Sequence, residues 1–307
     1  MSTTIRSLSI ASFASALLLT GATSLAADTG SAYSGRAAVY QQLEENSLEH
    51  TTTADRIRAI TMGNVAPTEI WRALEHGEKV ECLDCIPQVA KLLYNGNAKT
   101  REISAWWLRR RIFGVFGPGE VYSQVINTLK TDTSDDRRAY AAEALGEFLL
   151  GDGVPLVANA AVNDQAPVVR VAAVHALERL NDEGPTGELA TAIADQSPEV
   201  RLAALQATTR INVFSRIDAV AGRLSDESPD VRKRAAEVLG SMRAADGVVG
   251  LIALSSPDRE SDPRVRTAAV AALGRIADPS AKDAVTAALS DPDALVQSVA
   301  KIALRRL

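Results

Sequence analysis

Two cysteines three residues apart carry the clearest chemistry in the chain. Cys82 and Cys85 form the motif CLDC, and the sequence contains no other cysteine. In an exported protein this spacing favours a local disulfide that stiffens a turn. A catalytic dithiol, two free thiols, or a three-ligand copper or zinc site completed by His76 are the alternatives. Because Ile86 follows the second cysteine where a c-type haem site needs histidine, that site is excluded. We predict a disulfide and no metal site.

Aromatic side chains form a second group with binding potential, because they crowd the first third of the chain after residue 26. The stretch AWWLRRRIFGVFGPGEVY at 105–122 contains two adjacent tryptophans, Trp106 and Trp107. Neighbours on a helix point about 100° apart, so both rings cannot face the same core. These rings either fill a structural seam or form an apolar patch that binds a partner. The candidate binding residues here are Trp71, Trp106, Phe113 and Phe116.

The run Arg109-Arg110-Arg111 is the only local concentration of basic charge in this region. On a helix the three side chains spread over most of the circumference, which favours a solvated helix end over a phosphate or headgroup site. The whole chain has a net charge of −5. This balance, with both signs interspersed, excludes an overall electrostatic footprint for nucleic acid.

The elements that position these residues come from a pattern that returns seven times, most legibly as DQSPEVRLAAL at 195–205. Three residues after its arginine stands a small residue and, in six of the seven copies, seven residues after it a leucine, which share one helical face. Polar caps and prolines before the arginine begin each helix. The intervals are 37, 32, 31, 31, 34 and 31 residues between the pattern positions Arg101, Arg138, Arg170, Arg201, Arg232, Arg266 and Gln297.

Apolar segments with helical spacing lie between the pattern helices, so each unit is a helix hairpin that must stack on its neighbours to bury its apolar face. The consensus D-x-x-P-x-V-R-x-x-A-A-x-x-L-G resembles the short HEAT repeat of many bacterial proteins and of the phycobilisome lyase group. The signatures of tetratricopeptide and ankyrin repeats are absent. The resemblance implies an all-α superhelix of about seven hairpins over 86–307, with an irregular helical cap over 27–85. The repeated acidic residues and arginines are expected to form ion pairs between units.

The resemblance also implies that the second helix of each hairpin lines the concave side. Positions one, five and eight after the arginine vary from unit to unit, as a partner-binding surface or any solvated face would. The glutamate and histidine positions among them are expected to form surface ion pairs rather than a catalytic base. The candidate binding residues on this stripe are Glu102, Trp106, Arg109, Glu143, His175 and Gln206.

Residues 1–26 have the pattern of a secretory signal peptide. Arg6 precedes an apolar stretch over 8–19, and Ser24-Leu25-Ala26 provides a small-x-small cleavage pattern. No other stretch approaches the length of a membrane span. We therefore expect a periplasmic or secreted protein.

No phosphate-binding loop, G-x-S-x-G elbow, HExxH motif or EF-hand loop occurs in the sequence. We predict a non-enzymatic adaptor or scaffold without a cofactor, which binds an envelope protein through its concave groove and aromatic seam. The alternative is a periplasmic carrier of an apolar ligand such as a lipid or sterol. An enzyme similar to the bilin lyases is the third hypothesis.

Overall fold

The computed structural model describes residues 52–113, 119–182, 184–211 and 214–307, and these ranges contain helices and no strand. The predicted all-α fold is confirmed. The predicted signal peptide and residues 27–51 of the predicted cap lie outside the described residues. The first two helices are α1 (Ala54–Met62) and α2 (Pro67–His76).

Seven further hairpins follow, each with a first and a second helix. The first helices are α3 (Ile86–Lys91), α5 (Glu120–Thr131), α7 (Val154–Asn163), α9 (Thr186–Ile193), α11 (Ile217–Ala221), α13 (Val248–Leu254) and α15 (Lys282–Ala287). The second helices are α4 (Ala98–Phe113), α6 (Asp135–Phe148), α8 (Pro167–Leu180), α10 (Pro198–Ala207), α12 (Pro229–Met242), α14 (Pro263–Ile276) and α16 (Ala294–Ala303). Short 3-10 turns adjoin the first helices at Leu83–Cys85, Leu92–Tyr94, Gly151–Gly153, Gly222–Ser225, Ala245–Gly247, Pro279–Ala281 and Ala288–Ser290.

The second helices begin where the pattern predicts. The side chains of Ser134 and Asp262 accept hydrogen bonds from backbone amides in the first turns of α6 and α14. Proline occupies the first position of α8, α10, α12 and α14, where no backbone donor is lost from the helix.

Neighbouring second helices approach each other very closely because small residues meet at their contacts. A Cβ atom added to Gly146 would lie 2.7 Å from the Cα of Ala176, and one added to Gly240 would lie 2.8 Å from the Cα of Ala272. Second helices also pack against one another more extensively than first helices do. The close packing of the second helices agrees with the expectation that they line the concave side of the stack.

Helices α1 and α2 form one more hairpin of the same kind. Helix α2 packs against α4 as successive second helices pack elsewhere, and α1 contacts α3. A single apolar core runs from Ala54 to Ala303, with Trp107 and Phe148 among its largest buried side chains. Within the described ranges, none of the helices combines the length and apolar character needed to cross a bilayer.

Candidate functional site

A series of arginines and carboxylates, which we call the ladder, joins the hairpins from α6 to α16. The Nη1 group of Arg138 donates to the backbone oxygen of Asp132 at 3.0 Å, and its Nε and Nη2 groups donate to the carboxylate of Asp164 in the next hairpin at 2.8 and 2.9 Å. The expected ion pairs between units are thus confirmed. The pairs Arg170–Asp195, Arg232–Glu260 and Arg266–Asp291 repeat this arrangement, and in the pair Arg201–Asp226 only Nη2 of the arginine donates to the carboxylate.

The ladder carboxylates are fully engaged. Burial by itself would raise the pKa of Asp164, but hydrogen bonds from Arg138 and the Ala166 amide, together with the Arg138 and Arg170 charges, lower it. For Asp291 the hydrogen bond from Arg266 is the largest influence and also lowers the pKa. At the last position Gln297 keeps the backward hydrogen bond to the Asp291 carbonyl at 2.7 Å. The ladder carboxylates bind within the stack, and none of their oxygens is left without a hydrogen bond for a ligand to replace.

The first position of the series departs from this arrangement. Arg101 donates backward to the carbonyl of Asn95 like the other arginines, but its forward hydrogen bonds, at 2.7 and 3.2 Å, go to Glu143 within α6. Its guanidinium also lies 3.9 Å from the ring centre of Tyr140. Asp132 holds the position that the ladder would use and instead binds Arg137 at 2.7 Å. The charges of this first contact therefore lie on the concave surface rather than between two loops.

A cleft open to solvent lies at this departure, between helices α4, α6 and α8. Its volume is about 290 Å³. Five alanines and several charged residues line it. The α4–α6–α8 cleft is lined by Leu93, Ala98, Arg101, Glu102, Ala105, Tyr140, Glu143, Ala144, Glu147, Ala172, His175, Ala176 and Arg179.

Most of the charged groups in the cleft are paired with each other. Glu147 is only 8% exposed and accepts a hydrogen bond from Arg179 at 2.6 Å. Burial raises its pKa, and the charge of Arg179 offsets this only in part. Glu102 binds Lys99 at 2.8 Å. Among the described residues, no group of three metal-binding side chains is placed to hold an ion.

The structure brings together three of the predicted binding residues, since Glu102, Glu143 and His175 all line this cleft. The Nδ1 atom of His175 lies 3.5 Å from Glu178 on the same helix, an ion pair when the imidazole is protonated. Gln206 is half-buried on α10, outside the cleft.

The predicted aromatic residues lie elsewhere. Trp106 and Arg109 line a separate cleft of about 440 Å³ that also contacts Leu149. Trp71 lines a third cleft of about 700 Å³, where the ammonium of Lys99 lies 5.6 Å from its ring. The side chain of Phe113 and the whole of Phe116 lie outside the described part of the chain.

Four charged or aromatic residues of the cleft were missed in the sequence, namely Arg101, Tyr140, Glu147 and Arg179. A signal was available for Glu147. It stands nine residues after its pattern arginine, where one other unit has Ser241 and the rest have the arginines Arg110, Arg179, Arg210, Arg275 and Arg306. A carboxylate in a series of arginines marks a local change of charge.

The prediction of a solvated arginine run is wrong for Arg111, which is buried. Its guanidinium donates to the carbonyls of Gly77, Glu78 and Val80 at 2.6 to 3.2 Å and lies 3.3 Å from the ring centre of Trp107. Burial, followed by the charge of Arg110, lowers the pKa of Arg111 to about 9, which leaves it protonated at neutral pH. Arg111 thereby satisfies the carbonyls after the end of α2. The angular positions of residues along α4 alone could not reveal this role, because the acceptors lie in another hairpin.

The two adjacent tryptophans face different surroundings. Trp107 is fully buried, and its indole Nε1 donates to the Gly77 carbonyl at 3.0 Å. Trp106 is half-buried and packs against the edge of the core. Only Trp106 is therefore available for binding.

A disulfide joins Cys82 and Cys85 at the turn before α3. Both residues are buried against the N-terminal hairpin, and the Nη1 group of Arg58 lies 3.3 Å from the Cys82 sulfur. Counting labelled thiols with and without reductant measures its oxidation in solution.

Stacked helix hairpins joined by a ladder of ion pairs define an α-solenoid built from repeats. The model of the family described as HEAT repeats matches residues 122–208, 186–260 and 217–305. The chain belongs to the HEAT-repeat family.

Solved structures agree with this assignment. YibA of Escherichia coli is 16% identical, with 89% of this chain and 98% of that chain covered and a TM-score of 0.55. A chain in the structure of Kap95p with RanGDP is 12% identical, with 80% of this chain and 38% of that chain covered and a TM-score of 0.59. These identities show the fold alone.

A chain in the structure of the complex of CpcE and CpcF of phycocyanin lyase from a Nostoc species also matches. The identity is 21%, 72% of this chain and 86% of that chain are covered, and the TM-score of 0.38 supports no inference about activity. A comparison with curated proteins gives no significant match.

Proposed function

We propose that this protein is a scaffold that binds a partner protein on its concave side, with the α4–α6–α8 cleft as the main contact. The observation that carries this proposal is the open cleft at the redirected Arg101, which is lined by charged side chains of three successive second helices. In the other units the equivalent arginines bind carboxylates of the ladder instead. Repeat solenoids bind their partners through extended concave surfaces of this kind.

The geometry favours a scaffold over a carrier of a lipid or sterol. A carrier needs an enclosed and mainly apolar cavity for its ligand. The three clefts described above open to solvent, and each of them has charged residues in its lining. The cleft at Trp71 is the largest and provides the best remaining place for an apolar ligand.

A non-enzymatic role is part of this proposal. In the α4–α6–α8 cleft the carboxylates of Glu102, Glu143 and Glu147 are each held by a basic side chain. His175 contacts Glu178 and no nucleophile of the described chain. This arrangement suits recognition better than proton transfer, which needs a base within reach of a reacting group.

Export is the second part of the proposal. The signal-like residues 1–26 and the CLDC motif support a periplasmic or secreted location. The partner is then a protein of the cell envelope or of the exterior.

Site-specific photocrosslinking in the cells that produce the protein tests the scaffold role. We place p-benzoylphenylalanine at position 102, in the cleft, and at position 249, where Val249 is 82% exposed on the first helix α13. We expect one recurrent protein adduct from position 102 and not from position 249. Native mass spectrometry of the purified protein provides the second measurement, and a stoichiometric lipid in place of a protein would support the carrier instead.

A further inference from the structure

Glu147 differs from every carboxylate of the ladder in one respect. Its Oε2 atom accepts a hydrogen bond from Arg179 at 2.6 Å, but its Oε1 atom accepts none from the residues that the structure describes. In Asp164, by comparison, Oδ1 accepts from Arg138 and the Ala166 amide, and Oδ2 accepts from Arg138. Although Glu147 as a whole is only 8% exposed, Oε1 itself keeps contact with solvent, so a group that binds this oxygen displaces water from it. Glu147 lines the α4–α6–α8 cleft and neither of the other two clefts, so this cleft gives access to the oxygen.

The positive charges near Glu147 do not satisfy this oxygen. Arg101 is saturated by Glu143 and by the carbonyls of Asn95 and Gly96. The side chain of Arg179 is 50% exposed, so half of its surface is solvated. The lining contains three glutamates and two arginines, and Lys99 outside the lining binds Glu102 at 2.8 Å, so the cleft carries no surplus positive charge that would repel a cation.

The shape of the cleft suits a long side chain with a charged end. The small residues Ala105, Ala144 and Ala176 leave an apolar floor on which methylene groups can lie. The cleft volume of about 290 Å³ exceeds that of any single side chain. An ammonium or guanidinium group can then reach Glu147 while its stem covers the alanines.

We propose that the α4–α6–α8 cleft receives a lysine or arginine side chain of the partner protein, with Glu147 Oε1 as its main acceptor. This inference rests on the proposed scaffold function and specifies the chemistry that the scaffold recognises. A charge-assisted hydrogen bond to a buried carboxylate is among the stronger polar contacts in proteins. Burial, with a smaller contribution from the charge of Glu102, raises the pKa of Glu147, and a bound cation would lower it again.

The test titrates the full purified chain with capped tripeptides in which alanine flanks a central arginine, lysine, leucine or glutamate. Amide chemical shifts report binding and its location. The variant is Glu147→Gln, and the matched control is Glu178→Gln. Glu178 binds Arg210 at 2.6 Å, as Glu147 binds Arg179, and is equally buried, but it does not line the cleft.

We expect the arginine and lysine peptides to shift amides around 144–147 and 175–179, with millimolar affinity. We expect Glu147→Gln to weaken binding about tenfold and Glu178→Gln to change it less than twofold. Equal binding of the leucine or glutamate peptide, unchanged binding to Glu147→Gln, or cationic peptides that shift no cleft amides would overturn the proposal. The mapping in the wild-type chain remains decisive if the variant does not fold.

The photocrosslinking result separates the two proposals. If position 102 yields a protein adduct while the cationic peptides do not bind, the result supports the scaffold function and overturns the proposal that the cleft receives a lysine or arginine side chain. If neither is observed, both fail.

Discussion

Arginines hold together both the regular array and the N-terminal end of this solenoid, but their partners differ. From Arg138 to Arg266 each ladder arginine contacts an acidic side chain of the next hairpin. At the N-terminal end, Arg111 binds only backbone carbonyls, and Arg101 binds a glutamate that faces the concave cleft. Where partner and arginine repeat together, the contact is structural. Where the partner changes, charged side chains come to the surface, and it is there that we propose the binding site.

The largest effect is expected from breaking a regular contact of the ladder. Asp164→Ala leaves the buried guanidinium of Arg138 without its main counter-charge, which costs about 3–5 kcal/mol of unfolding free energy. Chemical denaturation measures this loss. Asp135→Ala is the control, because Asp135 contacts the same arginine from an exposed position. A loss below about 1 kcal/mol for Asp164→Ala would show that the ladder does not stabilise the stack.

The N-terminal end is expected to depend on Arg111 almost as strongly. Arg111→Met leaves the carbonyls of Gly77, Glu78 and Val80 without their shared donor, at a cost of about 2–4 kcal/mol. Arg110→Met removes an exposed ion pair with Glu78 and should cost less than about 1 kcal/mol. Thermal and chemical unfolding compare the two variants. Equal effects would restore the interpretation of the run as a solvated helix end.

Close packing of the second helices predicts a smaller effect. Gly240→Ala brings a methyl group to 2.8 Å from the Cα of Ala272, and the required shift of α12 and α14 should cost about 1–3 kcal/mol. Gly187→Ala, in α9, meets nothing within 4 Å and should stabilise by about 0.5–1 kcal/mol. Unfolding curves that rank the two variants in the opposite order would contradict this account of the concave side.

The smallest expected effect is a difference in the pH dependence of stability between the ladder and the α4–α6–α8 cleft. The lowered pKa values of Asp164 and Asp195 mean that their stabilisation is present above the usual value of 3.8 and is lost as pH falls through the folded values. Glu147 has the opposite sign, because its pKa is raised above 4.5, so its contribution is lost as pH rises through the folded value. Stability measured from pH 4.5 to 7 should therefore improve for Glu147→Gln relative to the wild type. If the difference in unfolding free energy between Glu147→Gln and the wild type does not change with pH, Glu147 and the ladder aspartates do not differ in this way.

Much of the array was predictable because its rules are local. The residues that define each second helix lie within a few positions of one another. The sequence therefore indicates directly that Ser134 caps a helix, that Pro198 begins one and that Ala204 is buried at a helix contact. The ion pairs between units were predictable because both partners recur at one period. The cleft was predictable in part, through Glu102, Glu143 and His175, since these residues share one face of successive helices.

The amino-acid sequence by itself determined the repeat, the hairpins and the ladder, because periodic residues meet identical neighbours in every unit. Only the tertiary structure decided where that periodicity ends. It redirected Arg101 to Glu143, buried Arg111 against the end of α2, and left one oxygen of Glu147 open to the cleft. Each of these contacts joins residues from different helices at a place where the register changes, and contact across such a place depends on packing distances that no local pattern records.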